Sequence, residues 1–100
     1  MTGFVIPVSA VPSQVFTVQL SQQACKIALR QRRTGLFVDL SVDGAVMLQG
    51  VLARDRVRIV RDAYHGFTGD LFFMDTQGAD DPDYTGLGSR WMLCYSDTLP

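Results

Sequence analysis

One hundred residues, with nine basic side chains, ten acidic ones and one histidine, give a net charge of −1, a length that fits one domain spanning 1–100. A hydrophobic share of 47% against 19% charged excludes a disordered chain, and no apolar run approaches the ~20 residues that cross a bilayer. The N-terminus has no basic stretch leading into an apolar one, so a secretion signal is not expected, and the near-zero net charge argues against a dedicated nucleic-acid binder.

Two details sit beneath the average. All ten acids are Asp, and the charges are segregated: residues 1–61 carry a net +5 and residues 62–100 a net −6. Without Glu, and with Lys26 as the single lysine, the usual surface helix formers are missing. Asp prefers caps and turns, because its short carboxylate competes for nearby backbone donors. Few helices are expected.

The first dozen residues, about 1–12, contain Pro7 and Pro12 and read as an extended arm or edge strand. Period-2 patterns follow. In Gln14–Leu20, Phe16, Val18 and Leu20 share a face. In Gln23–Arg32, Cys25, Ile27 and Leu29 lie opposite Lys26, Ala28 and Arg30. In Leu36–Val42, Leu36, Val38, Leu40 and Val42 face one way. Asp43-Gly44 is a strong hairpin signal, and Ala45–Leu52 reads as the return strand with Val46 and Leu48 inward. Arg54–Arg61 fits either a short helical turn, the preferred reading, or a strand. Leu71–Met74 is apolar on both faces and is expected to be a central strand. Residues 76–89 read as a long loop without structure of its own, of a length usually tied to function or mobility. Arg90–Tyr95 is the last strand, with Trp91, Leu93 and Tyr95 on one side. The predicted fold is all-β: a small antiparallel barrel or sandwich of six to seven strands with one short helical turn. So small a core gains from oligomerisation.

Catalytic and metal chemistry find little support. Cys25 and Cys94 are expected as buried free thiols, although a disulfide is conceivable. Two cysteines and a distant His65 do not make a zinc site. His65 reads as an ordinary loop residue, and no local signature supports a nucleophile beside it. Asp75, Asp80, Asp81 and Asp83 fit no calcium-loop spacing. No cofactor is implied. The arginines favour an interface, since guanidinium forks match carboxylates. Arg54, Arg56, Arg58 and Arg61 are the candidates on one side, Asp80, Asp81 and Asp83 on the other, with Tyr84 as an anchor. Such matched surfaces suit a head-to-tail homo-oligomer, with the acidic loop ordered by a neighbour. The rival reading is a small β-barrel that binds single-stranded nucleic acid through the seven arginines between residues 30 and 61. An enzyme using His65 and the Asp loop has the least support.

The run Gly69-Asp70-Leu71-Phe72-Phe73-Met74-Asp75, then Asp80-Asp81-Pro82-Asp83-Tyr84-Thr85-Gly86-Leu87-Gly88, then Trp91-Met92-Leu93-Cys94-Tyr95, resembles the small plug-type baseplate proteins of contractile-tailed phages. Val5-Ile6-Pro7-Val8, Gln14-Val15-Phe16-Thr17, Leu36-Phe37-Val38-Asp39-Leu40 and Gly50-Val51 extend the likeness along nearly the whole chain. The resemblance implies a non-enzymatic virion protein of the tail baseplate, assembled in the host cytoplasm. It implies a place near the hub where tube, spike and baseplate meet, and it supplies no catalytic residues.

Overall fold

The computed structural model describes residues 3–20, 23–60 and 69–96. Among the described residues seven strands run as β1 (Gly3–Ile6), β2 (Ser13–Leu20), β3 (Gln23–Arg32), β4 (Gly35–Val42), β5 (Ala45–Leu52), β6 (Asp70–Asp75) and β7 (Trp91–Ser96), with one 3-10 turn at Tyr84–Gly86. They form two antiparallel sheets, one ordered β2-β3-β4-β5 and the other β1-β7-β6. The expected all-β architecture is present, with two open sheets rather than a closed barrel.

The four-stranded sheet is a meander of hairpins, which short two-residue turns make cheap. Asp43 and Gly44 take φ of 51° and 85°, the left-handed pair that matches strand twist. Asp43 Oδ1 also accepts the Ala24 N–H at 3.1 Å. Alternation then sorts the faces. Leu20, Cys25, Ile27, Leu29, Leu36, Val38 and Leu40 are buried, and they join Ile6, Leu71, Phe73, Leu93 and Tyr95 of the other sheet in one core cluster. Each such aliphatic or aromatic side chain contributes about 1.5–3 kcal/mol by leaving water. Cys25 and Cys94 are both buried and unbonded, and burial pushes both thiols above their ordinary pKa.

Four expectations are corrected. First, Val46 does not face the core: it is 61% exposed. Two register shifts between β4 and β5 break the alternation. One falls at Met47, between Ser41↔Val46 and Leu40↔Leu48, and sets Val46 opposite the outward Ser41; the other falls at Gln49–Gly50, where Gly50 takes φ 65° and its N–H is held by Asp39 Oδ1 at 2.7 Å. Second, β6 is an edge strand and β7 the central one. No residue of β6 is exposed on either face, and a strap covers its outer edge. Third, that strap is the described part of the 54–61 segment, and it is neither helix nor regular strand. Arg56 N–H donates to Phe73 O at 2.7 Å and Ile59 N–H to Leu71 O at 2.9 Å. Asp70 clamps it, with Oδ1 accepting the N–H groups of Ile59, Val60 and Leu71 at 3.1, 2.7 and 2.7 Å. Fourth, the loop expected to lack structure holds a 3-10 turn at Tyr84–Gly86. His65 and Arg61 lie outside the described residues.

The chain between β1 and β2 packs close on the turn before β7. A Cβ on Gly88 would come within 2.5 Å of the Val8 carbonyl oxygen, and Gly88 has φ 82°. Gly88→Ala is therefore expected to cost about 1–3 kcal/mol through strain and a displaced backbone. A urea unfolding midpoint equal to wild type would contradict this.

Candidate functional site: the acidic loop

Between β6 and β7 the chain spends its charges on folding itself. Asp75 closes β6, and its side chain is fully buried. The Arg90 fork grips it with Nε on Oδ1 at 2.9 Å and Nη2 on Oδ2 at 2.8 Å. Two backbone donors complete the shell: Gln77 N–H on Oδ1 at 2.9 Å and Asp80 N–H on Oδ2 at 2.9 Å. These charge-assisted bonds, led by Arg90, hold the Asp75 carboxyl well below the usual carboxylate range. Arg90 is raised in turn, chiefly by Asp75.

Arg90 also reaches Asp80 Oδ2 at 2.9 Å and lies 4.5 Å from the Trp91 ring centroid, a cation–π geometry. Trp91 Nε1 donates to Asp80 O at 3.0 Å. Further along, Asp83 Oδ1 accepts from Thr85 N–H and Oγ1 at 3.0 and 2.8 Å, capping the 3-10 turn. Tyr84 N–H donates to Gln31 Oε1 at 3.1 Å, which fastens the turn to β3. The loop is thus ordered from within the chain, where the sequence suggested a neighbour.

The basic strap meets this loop directly. Arg56 pairs with Asp55 and donates Nη1 to Gly78 O and Nη2 to Asp75 O, at 3.2 and 3.1 Å. Asp55 N–H donates to Asp81 Oδ1 at 3.0 Å, while Asp55 Oδ1 accepts the Asp75 N–H at 2.8 Å. The positive and negative stretches therefore touch within one molecule. Of the candidate interface residues, Arg56, Asp80 and Asp81 come together here, Asp83 and Tyr84 build the turn, and Arg58 is half-buried on the strap. Arg54 is exposed and has no carboxylate partner among the described residues. Asp80 keeps 78% of its side chain exposed.

Sequence reasoning missed Asp70, Asp75 and Arg90 as the organising residues. One signal was available: Asp75-Thr76-Gln77 is an Asx turn, whose carboxylate bonds the N–H two residues on. As chemistry, the arrangement is static. The Asp75 oxygens are filled by fixed donors, which suits a rigid surface and not a proton shuttle. Among the described residues no group of three His, Cys or acidic side chains could hold a metal ion.

The outer face of the four-stranded sheet carries a shallow groove of about 190 Å³. Val15 and Val46 border it, beside Lys26 and the Arg30–Asp39 ion pair at 3.1 Å.

A family model described as cyanophage baseplate Pam3 plug gp18 matches residues 4–98. A search of curated proteins found no match. With nearly the whole chain matched, and with the two-sheet fold in place, the chain belongs to the cyanophage baseplate plug family and is a structural protein of the phage tail baseplate.

Proposed function

We propose that the protein acts as one domain, with β1 docked on β7, and oligomerises to link tail tube, hub and spike. The family membership supports a baseplate role. The observation that carries the linking role is the preformed loop. Asp80 and Asp81 are exposed on a framework that also holds Arg54, because the N–H of neighbouring Asp55 is bound by Asp81. A surface that carries both signs on an ordered backbone selects partners and register at a reduced ordering cost. No step in this reading needs catalysis.

Mass spectrometry of purified tail particles is expected to find the protein among the baseplate components, and its absence would overturn the reading. Arg54→Asp is expected to lower its incorporation several-fold, while stability stays within about 0.5 kcal/mol, as for most exposed substitutions. Normal incorporation of Arg54→Asp would remove Arg54 from the interface.

A further inference from the structure

The two sheets have four outer edges, and three are protected. The β6 edge is covered by the strap. The β5 edge is bulged at Gly50, and β1 is only four residues long. Bulges, covers and short strands are the usual devices against unwanted pairing. Among the described residues β2 has none of them. It is eight residues long, Ser-Gln-Val-Phe-Thr-Val-Gln-Leu, with no charge and no proline, in a chain that is 19% charged.

The ladder shows which backbone groups are open. Gln31 N–H donates to Pro12 O at 2.7 Å, and the register with β3 continues without a shift from Ser13↔Arg30 to Leu20↔Gln23. Antiparallel pairs alternate, so even-numbered residues of β2 bond β3. The N–H and C=O groups of Ser13, Val15, Thr17 and Gln19 point away from the sheet, where no strand lies among the described residues.

We propose that this edge pairs with the β2 edge of a second copy of the chain, antiparallel about a two-fold axis at Phe16. That register places Ser13 opposite the partner's Gln19 and Val15 opposite the partner's Thr17. All four outward residues then fall in hydrogen-bonded pairs. Phe16 meets its own counterpart across a non-hydrogen-bonded site, where side chains approach most closely. A two-fold sets like against like, so a charged edge would repel its copy; an uncharged one does not. The pairing also covers Val15, now 54% exposed, and extends the apolar rim at Phe16 and Val18, both only partly buried. One strand pair is small beside the ~1,200 Å² of a standard stable interface, so a weak dimer is expected.

Sedimentation velocity on the purified protein from micromolar to submillimolar concentration tests this. The expected result is a reversible monomer–dimer equilibrium, weakened at least tenfold by Val15→Lys and by Thr17→Pro. Thr17→Pro removes an outward N–H and leaves the β3 ladder intact. Phe16→Cys is expected to give a disulfide-linked dimer in oxidised glutathione, lost when combined with Val15→Lys. Circular dichroism melting separates lost pairing from lost folding. A monomer at every concentration, a dimer unchanged by both edge variants, or an edge that pairs only with a different chain would overturn the proposal. The baseplate reading is tested on tail particles and fails separately.

Discussion

Asparagine in place of Asp75 is expected to release the acidic loop while leaving the sheets in place. The change removes the charge that Arg90 grips and turns one acceptor oxygen into an NH₂ facing the guanidinium and backbone donors. Arg90 is 29% exposed and keeps Asp80, but it loses the acceptor of two of its bonds while the buried side chain of residue 75 is left with mismatched donors, and Tm is expected to fall by roughly 5–15 °C. Limited proteolysis should then cut between residues 76 and 83, where the wild type resists. The same pair sets an acid limit. The folded-state pKa of Asp75 lies below its unfolded value near 4, so its stabilisation is present above about pH 4 and is lost as pH falls towards the folded value. The variant should show a flatter stability profile below about pH 4. Equal acid limbs for the two proteins would show that Asp75 is not the titrating lock.

Removing the Asp70 carboxylate is expected to be comparably severe, for a different reason. Three backbone N–H groups converge on one oxygen, and Asp70 itself is 4% exposed. Asp70→Ala leaves the Val60 and Leu71 donors without an acceptor in a dry site, while Ile59 N–H keeps the Leu71 carbonyl. At about 1–3 kcal/mol per buried unsatisfied donor, with partial relaxation, a loss of about 2–4 kcal/mol is expected for the two. Asp70→Asn keeps an acceptor oxygen and should cost less than half as much. Urea unfolding of both variants measures the difference, and equal losses would show that charge rather than acceptor capacity holds the strap. Hydrogen exchange at Ile59 and Val60 should quicken first, before the meander loosens.

The contrast between these two carboxylates explains how far the sequence could be read. Strands β2 to β4 follow period-2 runs whose partners are adjacent in the chain, and a two-residue turn fixes each register. Asp43-Gly44 announces itself because only certain residues tolerate positive φ. The inward and outward faces of β5 were misread because its bulges depend on Asp39, in the strand before, reaching Gly50 N–H. The loop and strap were misread because their partners lie 10 to 20 residues away: Asp70 with Val60, Asp75 with Arg90, Asp55 with Asp75. A lone Asp next to a strand looks the same whether it faces water or an arginine. The segregation of charge was legible, but composition does not say whether opposite signs meet within a chain or between chains. Here Arg56 and Arg90 meet their acidic partners within it.

The pairing of β1 with β7 has a kinetic consequence. Gly3 sits opposite Ser96, so closing this ladder brings together residues about ninety positions apart. The meander from residue 13 to 52 and the β6–β7 pair close only local loops, each at small entropic cost, whereas β1 can join β7 only by closing the longest loop among the described strands. Amides of β3 and β4 should therefore gain protection earlier in refolding than those of β1, as pulsed hydrogen exchange would show. Protection arriving everywhere at once would mean that the two sheets form as one unit. Until the last ladder closes, the apolar inner face of the meander stands open, and the nascent subunit is most prone to aggregate in that interval.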